Sequence, residues 1–272
     1  MPGPLVSIRP RPHTGQVTPP VPGPPQDRFD HGGQGSRVRF VLFDFDGPIC
    51  RLFHAHSTVV VADEVLRVLT EAGGPDTGFE GTLDMHRMLR ELRGKPPWHD
   101  LPEYLVRAER ELARQEIEAV ASASPTPGLD DLLRQLADWG IGLAIASNNS
   151  AAAISRFLQG HGLSGYFHPD RIIGRSEEPG RMKPHPDAIE RALAALGGPA
   201  PETCILLGDS LADAEAASTA GIRFAGFVRP EGADDREKAL GKSRALWDAG
   251  AVAVVSHLKE LLSAFRWESA SE

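Results

Sequence analysis

Two aspartates one residue apart, in Asp44-Phe45-Asp46-Gly47-Pro48, close an apolar run that begins at Val38. A strand there delivers Asp44 to its carboxyl end, and Gly47 and Pro48 force a turn that folds Asp46 back towards the same place. Two carboxylates then flank one reacting centre. One can attack phosphorus, provided the negative charge of its target is neutralised, and the other can hand a proton to the leaving oxygen. Turns are rich in Asp and Gly, so the pair gains its meaning from the rest of the chain.

Three further segments supply what such chemistry needs. Ser147-Asn148-Asn149-Ser150 follows an apolar run and opens a helix; hydroxyl and backbone N–H donors at a helix N-terminus bind anions, with Asn149 or Ser150 as the N-cap and Ser147 left to hold phosphate. Lys183-Pro184-His185-Pro186 presents a lysine on a stiff loop, a compact cation able to hold a phosphoryl oxygen and Asp44 together. Gly208-Asp209-Ser210-Leu211-Ala212-Asp213 brings two carboxylates four residues apart. Gly208 lets the backbone pass close to a ligand, and the two carboxylates fall on one face of the following helix. Their hard oxygens suit magnesium, which takes few protein ligands. Capping near a positive helix end suits Asp209 better than Asp213.

The elements that must position these groups read as alternating strands and helices. Strands are expected at Val38 to Phe43, Ile141 to Ala146, Ile172 to Ile173, Cys204 to Leu207, Ile222 to Val228 and Ala251 to Val255. The first is apolar without alternation, as a strand covered on both faces is. Helices run from Asp130 to Trp139, Pro186 to Leu196 and Leu211 to Ala220, each stopped by a glycine. The pattern predicts a doubly wound parallel α/β sheet, in which strand carboxyl ends form the ligand crevice and remote segments can meet.

One stretch breaks the rhythm. Residues 53–123 show only helical periodicity, at Val59 to Leu69, Leu83 to Leu92 and Pro102 to Val120. They read as a small helical cap domain inserted into a core made of residues 37–52 and 124–272, with Pro125-Thr126-Pro127-Gly128 as the return hinge. Residues 1–36 carry many prolines and bury too little apolar surface to offset the entropy of ordering; they read as a disordered tail.

Composition sets limits. A chain of 272 residues is long enough for a core domain and a smaller module. A net charge of −8, from 29 Lys+Arg against 37 Asp+Glu, argues against nucleic-acid or anionic-membrane partners. Cys50 and Cys204 read as reduced thiols, and no apolar run is long enough to span a bilayer. A cytoplasmic protein, monomer or homodimer, is expected.

In their order and spacing, Asp44-x-Asp46-Gly47, Ser147, Lys183 and Gly208-Asp209-x-x-x-Asp213 resemble the four signatures of the haloacid dehalogenase-like hydrolase superfamily, over about residues 38 to 262. The resemblance is to the branch with phosphoglycolate phosphatases and β-phosphoglucomutases, whose Rossmann-like core carries a helical cap after the first signature. It implies that Asp44 is the nucleophile and Asp46 the general acid, then base. Ser147, Asn148 and Lys183 would bind the phosphoryl group. Magnesium would be held by Asp44, the main-chain carbonyl of Asp46 and Asp209, with Asp213 in support. The expected activity is magnesium-dependent hydrolysis of a small phosphorylated metabolite.

Pro48 stands where the family usually has threonine, and Arg51 replaces an acidic or small polar residue, where it can recognise an anionic substrate. Asp46 sets the chain apart from true dehalogenases, which need no acid for a halide. A phosphosugar mutase is the alternative, with His56 or Lys95 as an extra acid/base. A catalytically silent binding protein using the proline-rich tail is a third reading, disfavoured by the intact set of polar residues.

Overall fold

The computed structural model describes residues 37–54, 58–71, 76–79, 81–176, 178–229 and 236–270. The tail at residues 1–36 and His56 lie outside the described residues. Six parallel strands form one sheet: β1 (Phe40–Phe43), β2 (Gly142–Ala146), β3 (Ile172–Ile173), β4 (Cys204–Gly208), β5 (Arg223–Phe227) and β6 (Ala253–Val255). Their order is β3-β2-β1-β4-β5-β6, with β1 at the centre. The direction of winding reverses at β1, between β2 and β4, so the crevice at the carboxyl edge opens there.

The sheet is buried on both faces, which is why its strands read as apolar runs without alternation. Val41 and Phe43 point into one core, with Leu143, Ile145, Ile205 and Leu207. Leu42 points the other way, with Ala144, Ala146, Cys204 and Leu206. Helices α4 (Leu129–Asp138), α5 (Ala151–Gly160) and α9 (Glu260–Ala264) cover the first face. Helices α6 (Asp187–Ala195), α7 (Leu211–Thr219) and α8 (Arg236–Asp248) cover the second. Phe157 of α5 is fully buried and meets Phe45 edge to face at 5.4 Å. Phe157→Ala should cost about 3–5 kcal/mol of stability in urea unfolding.

Helices α1 (Thr58–Glu71), α2 (Met85–Arg93) and α3 (Pro102–Ala119) lie between β1 and β2 in sequence and pack around an apolar cluster of their own. Val65, Leu69, Met88, Leu89, Leu105 and Leu112 form it, and Met182, beside Lys183, joins it from the sheet side. The chain leaves the sheet and returns to it at adjacent points. Cys50 pairs with Pro125 in an antiparallel bridge, and Thr126 N donates to Ile49 O at 2.8 Å. Arg229, just past β5, fastens both crossings: its Nη2 donates to Gly47 O, Cys50 O and Thr126 Oγ1.

Among the described residues, element bounds depart from the sequence reading by a residue or two, and α8 and α9 are additions. No described helix is long and apolar enough to cross a membrane. Cys50 and Cys204 are both free and buried.

Candidate active site

Every site residue expected from the sequence lines one cavity of about 520 Å³ at the carboxyl edge of the sheet: Asp44, Asp46, Ser147, Asn148, Lys183, Asp209 and Asp213. They come from the ends of β1, β2 and β4, from the first turn of α7 and from the loop before α6.

Lys183 is the centre of the arrangement. Its side chain is only 2% exposed, and Nζ donates to Asp44 Oδ1 at 2.8 Å, Asp213 Oδ1 at 2.5 Å and Ala146 O at 2.9 Å. All three ammonium protons are thereby used. Burial opposes the charge, but the two carboxylates outweigh it and hold the lysine above its usual range. Its backbone is held too: Asn148 Oδ1 accepts from Lys183 N at 2.7 Å, and Asn148 Nδ2 donates to Lys183 O at 3.1 Å.

Two expectations about the acidic segment change. Capping was expected more of Asp209 than of Asp213, yet Asp213 lies within α7 and completes its capping box with Ser210. Its Oδ2 accepts from Asp209 N, Ser210 N and Ser210 Oγ. Asp209 precedes the helix, because Ser210 takes the cap position, so the two carboxylates do not share a helical face. Gly208 is also required by Asp213: a Cβ there would stand 2.6 Å from the Asp213 carboxyl carbon.

Asp44, Asp209 and Asp213 offer oxygens within 4.8 Å of one another. Burial, with mutual repulsion, lifts Asp44 to about 6 against the pull of Lys183; burial likewise lifts Asp209 to about 6 against Lys242. Such crowded hard donors fit a divalent cation. Asp213 also binds Lys183 and caps α7, so Asp44 and Asp209 would be the main side chains to hold the ion, with Asp213 in support. Lys242 Nζ also reaches Asp209 Oδ2, at 2.6 Å. Asp46 turns one oxygen to Leu52 N at 3.0 Å, and burial raises its pKa.

The Ser147–Ser150 loop departs from expectation in its use of the helix end. Ser150 is the N-cap, accepting from Ala153 N, but its own N–H donates to Glu116 Oε2 at 2.8 Å. The anion bound at this helix end is a carboxylate of the chain itself, contributed by α3. Ser147 is fully buried and pairs with Asn149, while still lining the cavity. Glu116 also accepts from Arg175 Nη1 at 2.8 Å and Asn149 Nδ2 at 3.3 Å, and lies 3.2 Å from His86 Nε2. Burial would push its pKa up, but Arg175 and His86 hold it at about 2.

Sequence reasoning missed Glu116, Arg175, His86, Arg229 and Lys242. Arg51 lines the cavity as expected of a substrate-facing cation, joined by Arg90 and His86 of α2. Lys95 does not line it; its side chain is 56% exposed and pairs with Glu91. Of the two acid/base candidates named for a mutase, Lys95 therefore stands outside this cavity, and the other, His56, lies outside the described residues.

Fold and site together define a Rossmann-like α/β hydrolase with an acidic, lysine-bridged centre. Residues 38–221 match the family model for haloacid dehalogenase-like hydrolases, and the chain belongs to that family. A phosphoglycolate phosphatase of Cereibacter sphaeroides is 32% identical over 196 residues, covering 69% of this chain and 84% of that protein. One from Pseudomonas putida is 29% identical over 233 residues, covering 80% and 82%. A crystal structure of a HAD family hydrolase from Deinococcus radiodurans R1, with bound phosphate and sodium, superposes with a TM-score of 0.54 at 26% identity, covering 84% of this chain and 95% of that one. The chain is thus an enzyme of the phosphatase class, in the phosphoglycolate phosphatase-like branch.

Proposed function

We propose that the protein hydrolyses the phosphomonoester of a small metabolite through a phosphoryl group carried on Asp44. The observation that carries this reading is the buried Lys183 ammonium, which joins Asp44 to Asp213 at the base of the cavity. That contact keeps one oxygen of Asp44 fixed while the carboxylate faces the cavity.

The steps follow from the groups present. Ser147 and Asn148 meet the phosphoryl oxygens, and Lys183, whose protons go to Asp44, Asp213 and Ala146 O, supplies positive charge beside them. Asp44 attacks phosphorus, and the ester oxygen leaves with a proton from Asp46, whose raised pKa suits it to carry one. Asp46, now ionised, takes a proton from water, which attacks the phosphoryl group on Asp44 and frees inorganic phosphate. Asp44, the Asp46 carbonyl and Asp209, with Asp213 in support, would hold magnesium, which would supply the positive charge that lets an anionic nucleophile approach an anionic ester. Helices α1–α3 act as a cap domain, since His86 and Arg90 of α2 line the cavity, and they select the leaving group. A cytoplasmic enzyme is the corresponding expectation.

The test is a screen of phosphorylated metabolites with phosphoglycolate at its head, because the curated relatives bear that name. Phosphate release should fall to background in excess EDTA and return with magnesium. Turnover that persists undiminished after chelation would remove the metal from this scheme.

A further inference from the structure

We propose that Glu116 is a positioning residue for phosphoryl transfer, through which helix α3 fixes the phosphate-binding loop and the lysine behind it. Glu116 is fully buried and lies near the carboxyl end of α3. Its carboxylate accepts from Ser150 N and Asn149 Nδ2 on the loop. Arg175, only 6% exposed, neutralises it and with the same Nη1 donates to Asn148 O at 2.8 Å. The backbone N of Arg175 donates to Asn149 O, also at 2.8 Å.

Asn148, Asn149 and Ser150 are therefore all tied to one buried ion pair whose acid belongs to the helical layer. The connection continues inward. Asn148 brackets the backbone of Lys183 with its side-chain amide, and Lys183 reaches Asp44. Arg90 of α2 donates to the same Lys183 carbonyl at 2.8 Å. Gly174 lets the segment carrying Arg175 lie against the loop; a Cβ there would stand 2.3 Å from Ala151 N. This packing leaves little room for either segment to shift alone.

A buried ion pair is seldom the most stable way to fill a core, since well-packed apolar side chains serve as well or better. What this one adds is direction. A carboxylate accepting from the N-cap amide of α5 and from Asn149 sets the loop's orientation, which an apolar contact does not specify. A displacement of α3 moves Glu116, and with it the loop that receives the phosphoryl group.

The proposal rests on Ser147 and Asn148 being that receiving loop, so the test reads phosphate binding separately from turnover. Inorganic phosphate is titrated calorimetrically, with magnesium present, into the wild-type protein, Glu116→Gln and Leu112→Ala. Leu112 lies one turn earlier on α3 and is buried in the helical layer's own cluster. Glu116→Gln should raise the phosphate Kd, and the KM of any substrate found, by roughly 10- to 100-fold, as expected when a loop is misplaced by about 1 Å. Leu112→Ala should lower the melting temperature and leave Kd unchanged. Should Glu116→Gln not fold, Arg175→Lys replaces it: the charge beside Glu116 stays while the bond to Asn148 O is lost, and Kd should again rise.

Unchanged Kd in the folded Glu116→Gln or Arg175→Lys variant overturns the proposal. So does an equal rise in Leu112→Ala, which would mark general loosening. Wild-type protein that neither binds phosphate nor hydrolyses any ester overturns the functional reading and this one together, whereas an active wild type with an unaffected Glu116→Gln overturns this one alone.

Discussion

Asp44→Asn should reduce phosphate release by roughly 10⁴-fold or more, since a covalent route stops when its nucleophile is removed. The amide is nearly isosteric, and its oxygen can still accept from Lys183, so the fold should survive. Without the metal the variant should even be the more stable protein, because one of three crowded carboxylates has lost its charge. Initial rates and thermal midpoints on the same preparations separate the two effects. Near-normal phosphatase activity in a folded Asp44→Asn protein would sink the proposed mechanism.

Lys183→Met should be damaging in a different way. Methionine approximates the lysine stem, but the ammonium that joins Asp44 to Asp213 is gone, leaving both carboxylates buried without their shared cation. Removing one partner of a buried ion pair costs about 3–5 kcal/mol. The deficit should shrink on acidification, because the stranded carboxyls can then take up a proton. Turnover should fall as well, by roughly 10²–10³-fold, the usual loss when a preorganised group facing developing charge is removed. Urea unfolding at several pH values, with single-turnover rates, reads both. A Lys183→Met protein as stable as wild type at neutral pH would show that the lysine is not what neutralises this pair.

The contrast between these residues and Glu116 shows where sequence reasoning reaches. Asp44, Ser147 and Asp209 each follow a strand whose apolar run marks its own end, and a parallel sheet must gather strand ends along one edge. Glu116 stands on a helix that also carries Glu109, Glu111 and Glu118. Local pattern makes it one solvated acid among several; only the placement of α3 against α5 and the loop before it buries Glu116. Arg175, beyond the short β3, and His86 on α2 gain their roles the same way. Helix α8 went unread because lysine, arginine and glutamate along Arg236–Asp248 mask its few buried residues, Ser243 and Leu246.

Asp213 draws the line more finely. Its spacing from Asp209 suggested two metal-directed carboxylates on one helix, whereas the cap at Ser210 ends that equivalence. Both line the cavity, but Asp213 also binds Lys183 and its own helix end, whereas Asp209 pairs with Lys242.

The sequence by itself determined the sheet, the order of its strands' chemistry and the residues at its carboxyl edge. These depend on burial patterns and turn residues that act over a few positions. Tertiary structure alone decided which cation or helix end each cavity carboxylate meets. It also decided that a helix end apt for phosphate is occupied by Glu116 from another layer. The free energy of a buried charge depends on the partners that packing brings within hydrogen-bond reach, and those partners lie tens of residues away along the chain.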